Sequence, residues 1–178
     1  MGLEVKIYPH NDLFNLAHFN IEIVKSKVEA SDFEGLGLHC KNCIISTSFA
    51  VEAFINYVGS KKVKHWNEKK SWYDKIKRIY KTLDEPLDMD KEPLRTLKQL
   101  KEIRNELAHG KPIEKTVVVS NKSDAKAAMK ADWDAYLTPE FAIHAYEQAD
   151  VFQEQLLNKF DISLFETLTS SRGTITRA

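Results

Sequence analysis

Cysteine is nearly missing from this chain: its 178 residues include only two, Cys40 and Cys43. That excludes a disulfide-stapled scaffold, which relies on many crosslinks to make up for a small core. Glycine and proline are sparse, at six and five, which excludes collagen-like and low-complexity organisation. No uninterrupted apolar run approaches the ~18 residues of a membrane-crossing helix. The opening segment MGLEVKIYPHND lacks the basic start and apolar centre of a secretory signal, so a cytoplasmic protein with no membrane partner is expected. Neither sign of charge prevails, because 26 Lys and Arg balance 26 Asp and Glu. A general nucleic-acid coat protein would be strongly basic.

What remains is ordinary globular material, 43% hydrophobic and 29% charged, with enough chain to bury a core. The length fits one domain over residues 1–166, followed by a small, polar stretch at 167–178 that reads as a loose tail. Charge is unevenly spread. Nine Lys and Arg between Lys61 and Lys81 face only Glu68 and Asp74, a local +7, whereas Asp84–Glu92 holds five acids against Lys91, a local −4. The basic segment also carries Trp66, Trp72, Tyr73 and Tyr80. It fits either a surface that steers and stacks single-stranded RNA or a solvated face whose tryptophans pack inward. The Cys40-x-x-Cys43 pair lacks the two further ligands of a structural zinc site and the βαβ setting of a redox motif. Buried free cysteine is the commoner alternative. No metal and no cofactor are expected.

Apolar spacing predicts helices almost throughout. A first helix runs from Asn11 or Asp12 to about Ala30, with Leu13, Leu16, Ala17, Ile21, Val24 and Val28 inward. A second spans about Leu38–Val58, ended by Gly59, with a stripe of Ile45, Phe49, Ala50, Ala53, Phe54 and Tyr57. Glu52 lies within that apolar company, either facing solvent or held by a partner. A third helix covers about Lys69–Leu83. A fourth runs from Leu94 to about Ala108, stopped by Gly110 and Pro112. Thr116–Ser120 reads as a lone edge strand or hairpin arm, and 121–132 as a loop or short helix. A last helix follows Thr138-Pro139, with Thr138 as its N-cap, and continues to about Phe160. The fold class is therefore all-α: an antiparallel bundle of four to five helices with at most one short β-type segment near 116–120.

The most specific pattern is Arg104-Asn105-Glu106-Leu107-Ala108-His109, at the end of the fourth helix. Cleavage of RNA by its own 2′-hydroxyl needs a proton removed, a proton delivered and the phosphorane's charge matched. Histidine suits the proton transfers because it ordinarily titrates near neutrality. Arginine suits the phosphate because its planar fork donates two parallel hydrogen bonds. Asn105 and His109 are four apart and share a helix face, with Arg104 about 100° round. One histidine must serve two proton transfers, which makes a symmetric homodimer with two facing motifs attractive.

R-N-x-x-x-H near the end of a late helix in a small α-bundle resembles the HEPN superfamily (higher eukaryotes and prokaryotes nucleotide-binding). The resemblance covers about residues 12–112. The Ser46-x-Ser48-Phe49-Ala50-x-Glu52-Ala53-Phe54 run is similar to the second helix of such proteins. The resemblance implies a metal-independent ribonuclease, often a toxin or phage-defence enzyme, that leaves a 2′,3′-cyclic phosphate. Arg104 would bind phosphate, His109 act as acid or base, and Asn105 orient one of them. Glu52 and Lys111 would serve substrate binding. RNA such as tRNA or mRNA, a second copy and an antitoxin protein would be the partners. One toxin branch carries a tyrosine two residues after the histidine, where a nucleotidyltransferase modifies it; here that position is Lys111, so such an antitoxin is not implied. The other function class is a non-catalytic helical module binding nucleotide, RNA or protein through the same groove. Arg, Asn and His also suit a helix C-terminus for purely structural reasons.

Overall fold

The computed structural model describes residues 3–173. Six helices and one small sheet follow in the order β1 (Leu3–Lys6), α1 (Pro9–Glu29), α2 (Leu36–Lys62), α3 (Trp72–Thr82), α4 (Leu94–His109), α5 (Lys122–Ala128), α6 (Pro139–Lys159) and β2 (Ser170–Gly173), with 3₁₀ turns at Asp132–Tyr136 and Leu164–Thr167. The four long helices α1, α2, α4 and α6 make an antiparallel bundle, and α3 lies against α2. The all-α expectation holds.

α2 is the hub, touching α1, α3, α4 and α6. Cys40, Ile44, Ala50, Phe54, Ile55 and Val58 on it are fully buried, as are Ser46, Thr47 and Ser48 to within a few per cent. It is long and apolar enough to cross a membrane by composition alone, yet 67% of its most apolar stretch is buried inside the bundle. Small polar residues inside such a helix must satisfy themselves locally: the Ser46 hydroxyl donates to the Asn42 carbonyl at 2.6 Å.

Several boundaries differ from the sequence expectation for identifiable reasons. α1 starts at Pro9, since proline is pre-organised for the first helical position. Asn11 does not cap the helix; its side-chain amide donates to the Thr167 carbonyl at 2.7 Å. Leu16 and Val28 are 50% and 42% exposed, the inward positions being Phe14, Ala17, Ile21 and Val24. Helix α2 passes straight through Gly59. A Cβ there would lie 2.3 Å from the Trp66 indole, so the residue is glycine to admit that ring, not to end the helix. Gly110 likewise has φ −57°, and a Cβ would come within 2.5 Å of the Glu106 carbonyl oxygen. Close approach, rather than a left-handed turn, requires it.

Residues 116–120 form no strand and find no ladder partner among the described residues. The sheet lies elsewhere, with β1 antiparallel to β2 and Leu3 opposite Gly173. Ser170–Gly173, expected in a loose tail, is thus a paired strand, and Thr167 is fully buried. Residues 174–178 of that tail lie outside the described residues. Ser71 and Thr138 cap α3 and α6, accepting from the backbone N–H of Asp74 at 3.1 Å and Phe141 at 3.2 Å.

His10 sits at the start of α1 among Tyr8, Phe54 and Tyr57, with ring centroids 5.8, 5.6 and 4.7 Å away. Burial pushes its pKa down to about 4, against 6.5 for a free imidazole. Between those values the unfolded chain takes up a proton that the folded chain refuses. Stability is therefore full above pH 6.5 and falls as pH drops towards 4, by about 3 kcal/mol for this group. Urea melts of His10→Phe against wild type across pH 4–7 should show that portion of the slope removed. Gly59→Ala should cost about 1–3 kcal/mol and shift the Trp66 fluorescence.

Candidate active site

The last two turns of α4 carry Arg104, Asn105 and His109, and the buried Leu97, Leu100 and Ile103 anchor that helix in the core. Arg104 and Asn105 are partly buried; His109 is exposed at the helix end. Arg104 and Asn105 line a cleft of about 660 Å³ together with Glu52 of α2, Trp72 and Tyr73 of α3, and Lys101 and Lys98 one and two turns earlier on α4. His109 stands one turn beyond Asn105 on the same face, about 6 Å further along the axis, outside the residues lining the cleft.

Glu52 answers its apolar surroundings by gathering cations. Its Oε2 accepts from Arg104 Nη2, and its Oε1 lies 3.6 Å from Lys75 Nζ. Lys75 is 3% exposed and has no other carboxylate partner among the described residues. The Arg104 guanidinium also lies over Phe49, 5.3 Å from the ring centroid. That position accounts for Phe49, which is 41% exposed rather than in the core. Arg104 Nε is buried without a partner, and Nη1 makes no hydrogen bond among the described residues. One arm of the fork is thus held by Glu52 while the other arm remains for a ligand.

Lys111 is not brought into this cleft. The chain leaves α4 extended, with ψ 135° at Gly110, and carries Lys111 to a separate cavity of about 660 Å³ beside Ile113, Val117, Val119, Met129 and Trp133. The KTVVVS run lines that cavity and does not cover Arg104. Trp66 and Trp72 pack inward, the latter only 9% exposed, whereas Tyr73 is half exposed at the cleft. The basic segment therefore contributes to the site through its middle, at Lys70–Tyr73, and through buried Lys75; the third dimension selects Tyr73 from the segment's four aromatics and brings in Lys75. Lys98 and Lys101 had a readable signal, since they continue the Asn105 face at spacings of seven and four.

Cys40 and Cys43 are buried and free, and burial pushes both thiols up to about 11. The Cys43 thiol donates to the Ala142 carbonyl of α6 at 3.8 Å. Thiols so placed resist ionisation and behave as packing groups. Among the described residues no three His, Cys, Asp or Glu side chains gather as a metal site.

No protein-family model, curated protein or solved structure matches this chain.

Removing the Glu52 charge strands a buried lysine. Glu52→Gln should lower stability by about 3 kcal/mol, and adding Lys75→Met should recover most of that in a double-mutant cycle read by denaturant unfolding.

Proposed function

We propose that this chain is a cytoplasmic endoribonuclease of the HEPN type, working as a homodimer and without a metal, with Arg104, Asn105 and His109 as its catalytic residues. The observation that carries the reading is that the last two turns of α4 carry all three, with Arg104 and Asn105 opening into a cleft that also holds an exposed tyrosine and lysines without a carboxylate partner among the described residues.

The free arm of Arg104 binds the scissile phosphate, held in orientation by Glu52 on its other arm. His109 takes the 2′-hydroxyl proton as O2′ attacks phosphorus. The P–O5′ bond breaks, and the leaving 5′-oxygen receives a proton from the partner's copy of the same histidine. The products are a 2′,3′-cyclic phosphate and a 5′-hydroxyl. Asn105, one turn from His109, orients the imidazole or the phosphate. Exposure of His109 fits this role, because an acid–base group must reach its substrate. An antitoxin protein that covers α4 would silence such an enzyme.

The non-catalytic reading draws on one observation, the engagement of Arg104 by Glu52, which equally suits a structural ion pair. The two readings part in an assay. Purified protein with total RNA and end-labelled tRNA in excess EDTA should yield discrete cuts ending in cyclic phosphate. His109→Ala should lower that rate by about 10²–10⁴ with little change in RNA affinity, and Arg104→Lys should also impair cleavage because a point charge cannot replace the fork. Intact RNA with every folded protein would leave the binding module.

A further inference from the structure

Lys98, Lys101 and Asn105 form one continuous edge of α4 facing the cleft. The edge from Lys98 to Asn105 is about 10 Å long, the axial length of three stacked nucleotides at about 3.4 Å each. Lys70 faces the same cleft from the start of α3. None of these three lysines has a carboxylate within salt-bridge distance among the described residues, although Asp90 and Glu102 line the same cleft. The one acid that is engaged, Glu52, is turned towards Arg104 and Lys75. Unpaired cations converging in a concave site are an anion site. Tyr73 lines the same cleft, half exposed beside the buried Trp72. An exposed aromatic in one cleft with a row of cations is the arrangement that stacks bases while the backbone runs along the lysines.

We propose that this cleft is a single-strand RNA track: about two nucleotides on one side of the cut lie along α4, with phosphates on Lys101 and Lys98 and a base stacked on Tyr73. The proposal rests on the ribonuclease reading for its register, since Arg104 marks the scissile phosphate. It accounts for how a chain of zero net charge holds a polyanion, through a local row rather than a basic surface. Width also matters, because an aromatic beside a one-helix-wide row accepts splayed bases and not a duplex.

The test is binding of a 2′-O-methyl decauridylate, which lacks the attacking hydroxyl and stays intact, by the full chain in fluorescence anisotropy over a salt series. Lys98→Glu with Lys101→Glu should weaken binding at least tenfold and lower the log–log salt slope by about 1.4, two contacts at about 0.7 each. Tyr73→Leu should weaken it about 5- to 100-fold with the slope unchanged. Lys6→Glu, a charge reversal on β1 outside the cleft, should change neither. Unaltered affinity and slope in the double reversal, with circular dichroism showing a folded protein, would overturn the track whatever the cleavage assay reports. A lowered slope with no turnover in any variant would keep the track and remove the catalytic reading. Tighter binding of a duplex than of the single strand would also overturn it.

Discussion

A single carboxylate, Glu52, joins three helices at the place where the chain would otherwise have left charges stranded. It stands on the core helix, accepts from Arg104 on α4 and faces Lys75 on α3. Lys75 could not be 3% exposed without a counter-charge, because an unpaired ammonium in the interior costs several kcal/mol. Helix α3 has its main packing partner in α2, so this pair sets how α3, and with it Tyr73, stands beside α4. The same carboxylate fixes one side of the arginine fork. Stability and the orientation of the candidate phosphate-binding group thus rest on one interaction.

That economy has a chemical side. A guanidinium held by a carboxylate, an aromatic ring and a buried Nε has little freedom left to lose when a phosphate arrives. A pre-oriented donor loses less entropy on binding than a mobile one. His109 is the opposite case, exposed on the final residue of its helix, and its position is set by the glycine that follows. The core side of α4 is rigid and the reactive side is open, which is how a site on a helix end can be both placed and reachable.

Much of the bundle was legible because helical periodicity and stop signals are local. Thr138-Pro139 marked the start of α6 correctly. What misled was chemistry with two uses. Gly59 looks like a terminator, yet it exists to make room for an indole seven residues later. Thr116–Val119 has strand residues but no neighbour to pair with, while Leu3–Lys6 and Ser170–Gly173 pair across almost the whole chain. In the candidate site, Arg104, Asn105 and Glu52 were readable from type and spacing, and the structure gathers them. Lys111 lies off this cleft because helix α4 ends at His109 and the chain then turns to the neighbouring cavity. Lys75 was invisible, since a lysine in a basic run gives no sign that it turns inward.

The β1–β2 pair joins residues from the two ends of the described chain, Leu3 opposite Gly173 and Lys6 opposite Ser170. Closing a loop of that length is entropically the most demanding contact in the fold, although the cost rises only with the logarithm of length. A two-stranded sheet is marginal by itself, and all four β1 side chains lie at the surface, two of them charged. The clasp is therefore a late and easily reopened event in folding, formed only after the bundle has brought its ends together. Because Leu3 and Gly173 meet there, a short linker would join them without disturbing the bundle, and the chain's connectivity could be reopened in the irregular 113–119 segment.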